Sequence, residues 1–184
     1  MMYRLFLVAS ILLLAVSGFA QKRYFTKTGV VSFEASTPLE TIDPVNKSAM
    51  SVFDATSGQI EFAVLIKGFE FKKALMQEHF NENYMESGKY PKSTFKGTIE
   101  NMQTVNLQKD GNYPVRAKGV LEIHGVKKQV SVPGTFTVAG QTVRSTAQFN
   151  VLLSDYGISI PGVVKDKISK NAKVTVNCSY TPIK

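Results

Sequence analysis

The segment YPVRAKGVLEIHGVKKQVSV, residues Tyr113 to Val132, decides the fold, because its side chains alternate between apolar and polar on both sides of one short turn. Apolar or small residues occupy the odd positions up to Ile123, and most of the residues between them are polar or charged. His124 and Gly125 then reverse the chain. Alternation with a period of two is typical of a strand with one buried face, so this segment predicts two antiparallel strands.

The same alternation recurs along most of the chain. Further alternating segments are Val31 to Ala35, Ile60 to Ile66, Thr94 to Glu100, Phe136 to Val138, Val143 to Val151 and Val174 to Tyr180. Asp110-Gly111-Asn112 predicts a hairpin turn before Tyr113. About eight strands joined by short turns favour an all-β, antiparallel barrel or sandwich, and closure into a barrel would remove exposed strand edges. The sequence contains no Trp, and it contains one helical insertion. Both features favour a soluble barrel over one of the outer-membrane type.

The insertion is the segment from Phe69 to Met85, where the apolar residues recur at helical spacing instead of alternating. They are Phe71, Leu75, Met76, His79, Phe80 and Tyr84. A stripe of this kind predicts an amphipathic helix that lies over the barrel interior. Gly88 and Pro91 are expected to end it, because glycine tolerates a left-handed cap and proline cannot extend a helix.

The N-terminal twenty residues have the pattern of a secretory signal peptide. A short basic start up to Arg4 precedes the apolar run from Leu5 to Val16, and small residues at Gly18 and Ala20 suit signal peptidase. We therefore expect cleavage after Ala20 and a periplasmic or secreted product. Residues 21–184 would then form a single domain.

Composition narrows the classes of partner. The whole chain carries a net charge of +8, which falls to +7 when Arg4 leaves with the signal peptide. The lysines are scattered, which argues against nucleic acid and allows peripheral contact with an anionic membrane. Lys89, Lys92, Lys127 and Lys128 are candidates for such contact. Cys178 is the only cysteine, so no internal disulfide can form.

Motifs for catalysis or metal binding are missing from the sequence. The two histidines, His79 and His124, cannot complete a histidine-rich metal site, and no nucleophile motif surrounds Cys178. We expect His124 to be a turn residue whose ring bonds nearby backbone. His79 is expected to be partly buried and bonded to backbone or to a strand-end group. A hydrolase with a Ser or Cys beside one of these histidines stays open as an alternative.

The sequence leaves two possibilities for the interior. The apolar faces could pack solidly against each other, which would make the protein a structural or interaction barrel of the cell envelope. Alternatively they could line a cavity, since a barrel of about eight strands can hold one slender ligand. Gly97 and Gly119 lie on the inward register and are expected to remove bulk from the interior.

A resemblance carried by three motifs favours the cavity over the self-packed barrel. The run HFNENYMESGKYPKSTFKG (79–97) resembles the His-Leu…Phe-Phe…Tyr-Pro…Thr-Phe signature of YceI-like proteins. The run GVLEIHGVKK (119–128) is similar to that family's Gly-x-Leu-x-Ile-x-Gly-Val-x-Lys motif, and SDYGI (154–158) to its late Asp-Phe-Gly-Ile. The motifs come in the family's order, and the resemblance covers nearly all of the mature chain.

The resemblance implies an exported, lipocalin-like barrel that holds a polyisoprenoid or quinone-like lipid without catalysis, cofactor or metal. Family members often carry an Arg-Asp pair before the histidine that matches His79, whereas Met76-Gln77-Glu78 stands here. The residues expected to contact the ligand are Phe62, Val64, Phe71, Leu75, Met76, His79, Phe80, Tyr84, Phe95, Phe149, Val151 and Tyr156.

Overall fold

A computed structural model describes residues 23–183, and in this range eight antiparallel strands close into a barrel. The expected signal peptide lies outside the described residues. The strands are β1 (Arg23–Glu34), β2 (Val45–Asp54), β3 (Gln59–Leu65), β4 (Lys92–Ile99), β5 (Gly111–Ile123), β6 (Val126–Ala139), β7 (Thr142–Leu152) and β8 (Asn171–Pro182). Each strand pairs with the next, and β1 pairs with β8 to complete the ring. The predicted fold class is confirmed.

The strand count matches the prediction, although one strand was missed and another was divided. Residues 126–132 and 136–138 belong to the single strand β6, in which Pro133 pairs with Arg116 of β5. Strand β2 was not predicted, because its alternation is locally inverted. Ser51 is buried in the barrel, whereas Met50 is 44% exposed. Its register with β1 and β3 fixes this orientation.

The predicted hairpin turn at Asp110-Gly111-Asn112 is wrong. Gly111 and Asn112 already belong to β5, where they pair with Val138 and Thr137 of β6. The true link between β4 and β5 runs from residue 100 to 110 and contains a short 3₁₀ helix, Met102–Thr104. Asp110 instead accepts a hydrogen bond of 2.8 Å from the backbone N–H of Gly140, in the next turn at this end of the barrel.

The helical insertion is shorter than predicted. It begins with α1 (Ala74–His79) and continues as a π-helical turn, Phe80–Tyr84. Residues 69–71 are not helical, because the backbone of Glu70 exchanges two hydrogen bonds with Val45 at the start of β2. Gly88 does not provide the left-handed cap either. Glu86 adopts the positive φ, at 42°, just after the helix.

Gly97 and Gly119 pair across β4 and β5, but they do not open the interior as predicted. A Cβ at Gly119 would collide with the backbone of Lys96 and Gly97. A Cβ at Gly97 would meet the ring of Phe95 at 2.8 Å and the carbonyl oxygen of Lys118. The two glycines therefore let the strands approach closely, and the Phe95 ring uses the space.

The two ends of the barrel differ. At the end that holds the start of β1 and the end of β8, four aromatic rings pack together: Tyr24, Phe53, Phe136 and Tyr180. The Tyr180 hydroxyl lies 3.0 Å from Ser51 Oγ, so its polar atom is satisfied within the core. At the other end, here called the mouth, the helical segment 74–84 and the loop between β7 and β8 lie above the strands.

Candidate functional site

The barrel encloses a cavity of about 570 Å³, within the range of about 300 to 1,000 Å³ typical of ligand pockets. It reaches from Phe136, in the aromatic end, to Lys167, in the loop between β7 and β8. The structural-barrel alternative requires a solidly packed interior, and this cavity contradicts it.

The walls of the cavity are the inward faces of the strands. Alternation places Ala117 and Leu121 of β5 in the wall, while Lys118 between them is exposed outside. Hydroxyl groups are few, and Ser145 already donates a hydrogen bond of 3.3 Å to the Tyr180 hydroxyl. A surface of this kind favours long apolar chains over polar solutes.

The structure brings eleven of the twelve expected ligand-contacting residues to one cavity. They are Phe62, Val64, Phe71, Leu75, Met76, His79, Phe80, Tyr84, Phe95, Phe149 and Val151. Tyr156 is the exception. Its side chain is 3% exposed and packs in the core, but it does not line the cavity. A ligand contact for each of these residues stays a prediction.

An aromatic cluster holds the helical segment over the mouth. The Phe80 ring lies 4.9 Å from Phe71, 5.5 Å from Phe33 and 5.7 Å from Phe69, measured between ring centroids. Phe33 belongs to β1, so this contact joins the insertion to the barrel wall. The rest of the helix is held loosely, since none of its residues is fully buried and Leu75 is 61% exposed.

A second attachment follows the helix. His124, in the turn between β5 and β6, places Nε2 at 2.7 Å from a carboxylate oxygen of Glu86 and Nδ1 at 3.2 Å from the carbonyl oxygen of Tyr156. The ring can donate both bonds only when both nitrogens carry protons. The prediction for His124 was thus partly wrong. The ring does bond backbone, but in a segment 32 residues away, and it also pairs with a carboxylate.

The prediction for His79 is wrong. Its side chain is exposed, and among residues 23–183 it has no hydrogen-bond partner. The helix places it at the mouth of the cavity instead, with its ring free to meet a ligand.

The charged residues of the cavity lining all lie at the mouth, and none of them was predicted from the sequence as a site residue. They are Glu40, Lys73 and Lys167, which belong to three different links between strands. Lys73 Nζ and Glu40 Oε1 are 2.8 Å apart and form an ion pair. Lys167 belongs to residues 153–170, where apolar residues neither alternate nor recur at helical spacing. No periodic pattern therefore predicted its position at the mouth.

Within the described part of the chain, no catalytic arrangement surrounds the histidines. The partners of His124 are a carbonyl and a carboxylate, not a hydroxyl or thiol. Burial raises the pKa of the Cys178 thiol to about 11, which keeps it protonated and unreactive at neutral pH. Residues 23–183 also contain no group of three metal-ligating side chains, and none of their helices is long and apolar enough to cross a membrane.

Comparison with known proteins gave a family and several structures. The family described as "YceI-like domain" matches residues 23–180. A polyisoprenoid binding domain from Saccharophagus degradans, implicated in plant cell wall breakdown, superposes with a TM-score of 0.75 at 14% identity. The match covers 89% of this chain and 99% of that domain.

Two further structures share the fold. BcnA from Burkholderia cenocepacia superposes with a TM-score of 0.68 at 16% identity and covers 83% of this chain and 96% of its own. The YceI protein of Campylobacter jejuni superposes with a TM-score of 0.53 at 17% identity, covering 74% of this chain and 81% of its own. The comparison with curated proteins gave no match.

Proposed function

Because the chain belongs to the YceI-like domain family, we propose that it binds one long apolar lipid inside its barrel and catalyses no reaction. The ligand class is a polyisoprenoid, such as an isoprenoid quinone or an isoprenoid lipid carrier. The structural neighbour from Saccharophagus degradans is a polyisoprenoid binding domain, which supports this choice.

The single observation that carries the proposal is the continuous apolar cavity of about 570 Å³. Apolar burial supplies affinity without polar contacts, at about 0.8 kcal/mol for each buried CH₂ group. An isoprenoid chain consists almost entirely of such surface. The helical segment over the mouth would keep the bound chain from water.

Export completes the proposal. The signal-like N-terminal segment would be removed after Ala20, and the mature protein would work in the periplasm or outside the cell. The exposed side chains of Lys89 and Lys92 lie at the mouth end of the barrel, where they would favour peripheral contact with an anionic membrane. N-terminal sequencing of the purified protein tests the cleavage, and co-sedimentation with anionic vesicles tests the contact.

A matched pair of variants on β5 tests lipid binding. Ala117 lines the cavity, and its neighbour Lys118 points outside. We expect Ala117→Trp to fill the cavity and abolish co-purification of lipid, at a cost in stability of about 1 to 3 kcal/mol from overpacking. Lys118→Trp should leave lipid binding unchanged. Native mass spectrometry and organic extraction measure the bound lipid.

Two results would contradict the proposal. In the first, wild-type protein yields no lipid and its melting temperature does not change when isoprenoid quinones are added. Because a ligand that binds the folded state raises the melting temperature, an unchanged value means that no quinone is bound. Alternatively, Ala117→Trp could retain the same amount of lipid as Lys118→Trp, which would place the ligand outside the cavity.

A further inference from the structure

The cavity lining is divided into an apolar depth and a charged mouth. All its formally charged residues, Glu40, Lys73 and Lys167, lie in links between strands at the mouth, and so does His79. The depth ends instead on the aromatic rings of Phe136 and its neighbours. A ligand with one polar end would therefore enter with its tail first and leave its headgroup among these four residues.

The charges of the residues that line the cavity do not balance. Glu40 is paired with Lys73, so these two neutralise each other. Lys167 has no carboxylate partner and no side-chain hydrogen bond within residues 23–183, and the His79 ring likewise has none. Among the residues that line the cavity, the mouth thus holds one cation and one ring N–H donor without an acceptor of their own.

We propose that the headgroup of the ligand is anionic, a phosphate or a carboxylate, and that Lys167 and His79 contact it. This inference rests on the proposed function and specifies its ligand class. An amine and a ring N–H bind an oxyanion through charge-assisted hydrogen bonds, which are stronger than bonds to a neutral carbonyl or alcohol. The Lys73–Glu40 pair beside them contributes no net charge to oppose the anion.

Three ligands with one shared tail test the headgroup. Geranylgeraniol, geranylgeranoic acid and geranylgeranyl phosphate differ only at the polar end, and isothermal titration calorimetry measures each dissociation constant at pH 7 and constant ionic strength. We expect the two anions to bind about tenfold more tightly than the alcohol, which corresponds to about 1.4 kcal/mol. The difference between acid and phosphate shows which oxyanion the mouth prefers.

Matched variants assign the effect to the mouth. Lys167→Gln and His79→Gln should each reduce the preference for the anions, measured as the ratio of the dissociation constant of the alcohol to that of each anion. The control is Lys165→Gln, which removes a charge from the same loop at an exposed residue outside the cavity lining. Circular dichroism melting confirms that all three variants are folded.

The outcomes separate this inference from the proposed function. Equal binding of alcohol and anions by the wild type would overturn the anionic headgroup while the lipid-binding function stands. An equal loss of preference in Lys165→Gln and Lys167→Gln would also overturn it, because general surface charge would then be the cause. Failure of all three ligands to bind would overturn both.

Discussion

Two residues that adopt an unfavourable backbone conformation are hydrogen-bonded to each other. Glu86 has φ 42° and His124 has φ 52°, and they are the non-glycine residues with positive φ among those described. This conformation costs about 1 to 3 kcal/mol for each. The His124–Glu86 bond of 2.7 Å and the Tyr90 ring, 4.6 Å from the imidazole, help to offset the cost.

Replacing His124 should therefore loosen the segment that follows the helix. We expect His124→Ala to lower the free energy of unfolding by about 1 to 3 kcal/mol, because a charge-assisted bond is lost and Glu86 keeps its strained backbone. Urea denaturation measures the loss, and hydrogen exchange should rise at residues 80–91. His79→Ala is the matched control, since its ring has no partner in the described structure. Equal stability of the two variants would contradict the role of His124.

At the scale of elements, regular alternation was read correctly from the sequence and irregular segments were not. The turn at His124-Gly125 and the parts of β5 and β6 beside it were predicted, because apolar and polar residues alternate regularly there. The apolar stripe of the helix was also found, but its start was not, since two backbone bonds between Glu70 and Val45 hold the preceding residues extended. Contacts between distant segments of this kind leave no periodic signal in a sequence.

The attachment of the helical segment to the barrel depends mainly on the side chain of Phe80. Phe80 contacts three aromatic rings, whereas Leu75 on the same helix is 61% exposed. We expect Phe80→Ala to lower the stability by about 2 kcal/mol and to speed the release of a bound lipid. Stopped-flow displacement of a fluorescent lipid measures release.

Leu75→Ala provides the comparison for Phe80→Ala. Its stability should change by less than about 0.5 kcal/mol, because the side chain is mostly exposed. If both variants released lipid at the wild-type rate, the aromatic cluster would have no part in holding the helix over the mouth.

At the scale of the whole molecule, the barrel could be predicted from the sequence, but the residues that line its cavity could be predicted only in part. Five of the expected contact residues reach the cavity because inward alternation on a closed sheet converges on one interior. The other six reach it because they belong to the segment 71–84, which lies over the mouth. Lys167 was not foreseen, because its position depends on how an irregular loop folds over the mouth. Tyr156 was expected at the cavity from its motif, but its ring packs elsewhere in the core.

Cys178 reports on the integrity of the whole barrel. Its thiol is 3% exposed on the inner face of β8, and burial raises its pKa to about 11. We expect almost no reaction with Ellman's reagent at pH 8 in the native protein, and complete reaction in 8 M urea. Labelling should accelerate as urea lowers the free energy of unfolding, and also as the pH rises towards 11. Rapid labelling of the native protein would mean that the wall opens locally.

The pairing of β1 with β8 joins the first strand of the barrel to the last, so the barrel can close only after β8 has been added. In this pairing, Tyr24 lies opposite Pro182. Without β8, the other seven strands would form an open, curved sheet with two unpaired edges and an apolar concave face. A chain that folds from its N-terminus would pass through this stage, and a lipid would be able to enter through the gap before β8 pairs with β1. First loading could therefore take a different route from later exchange, which must pass the helix.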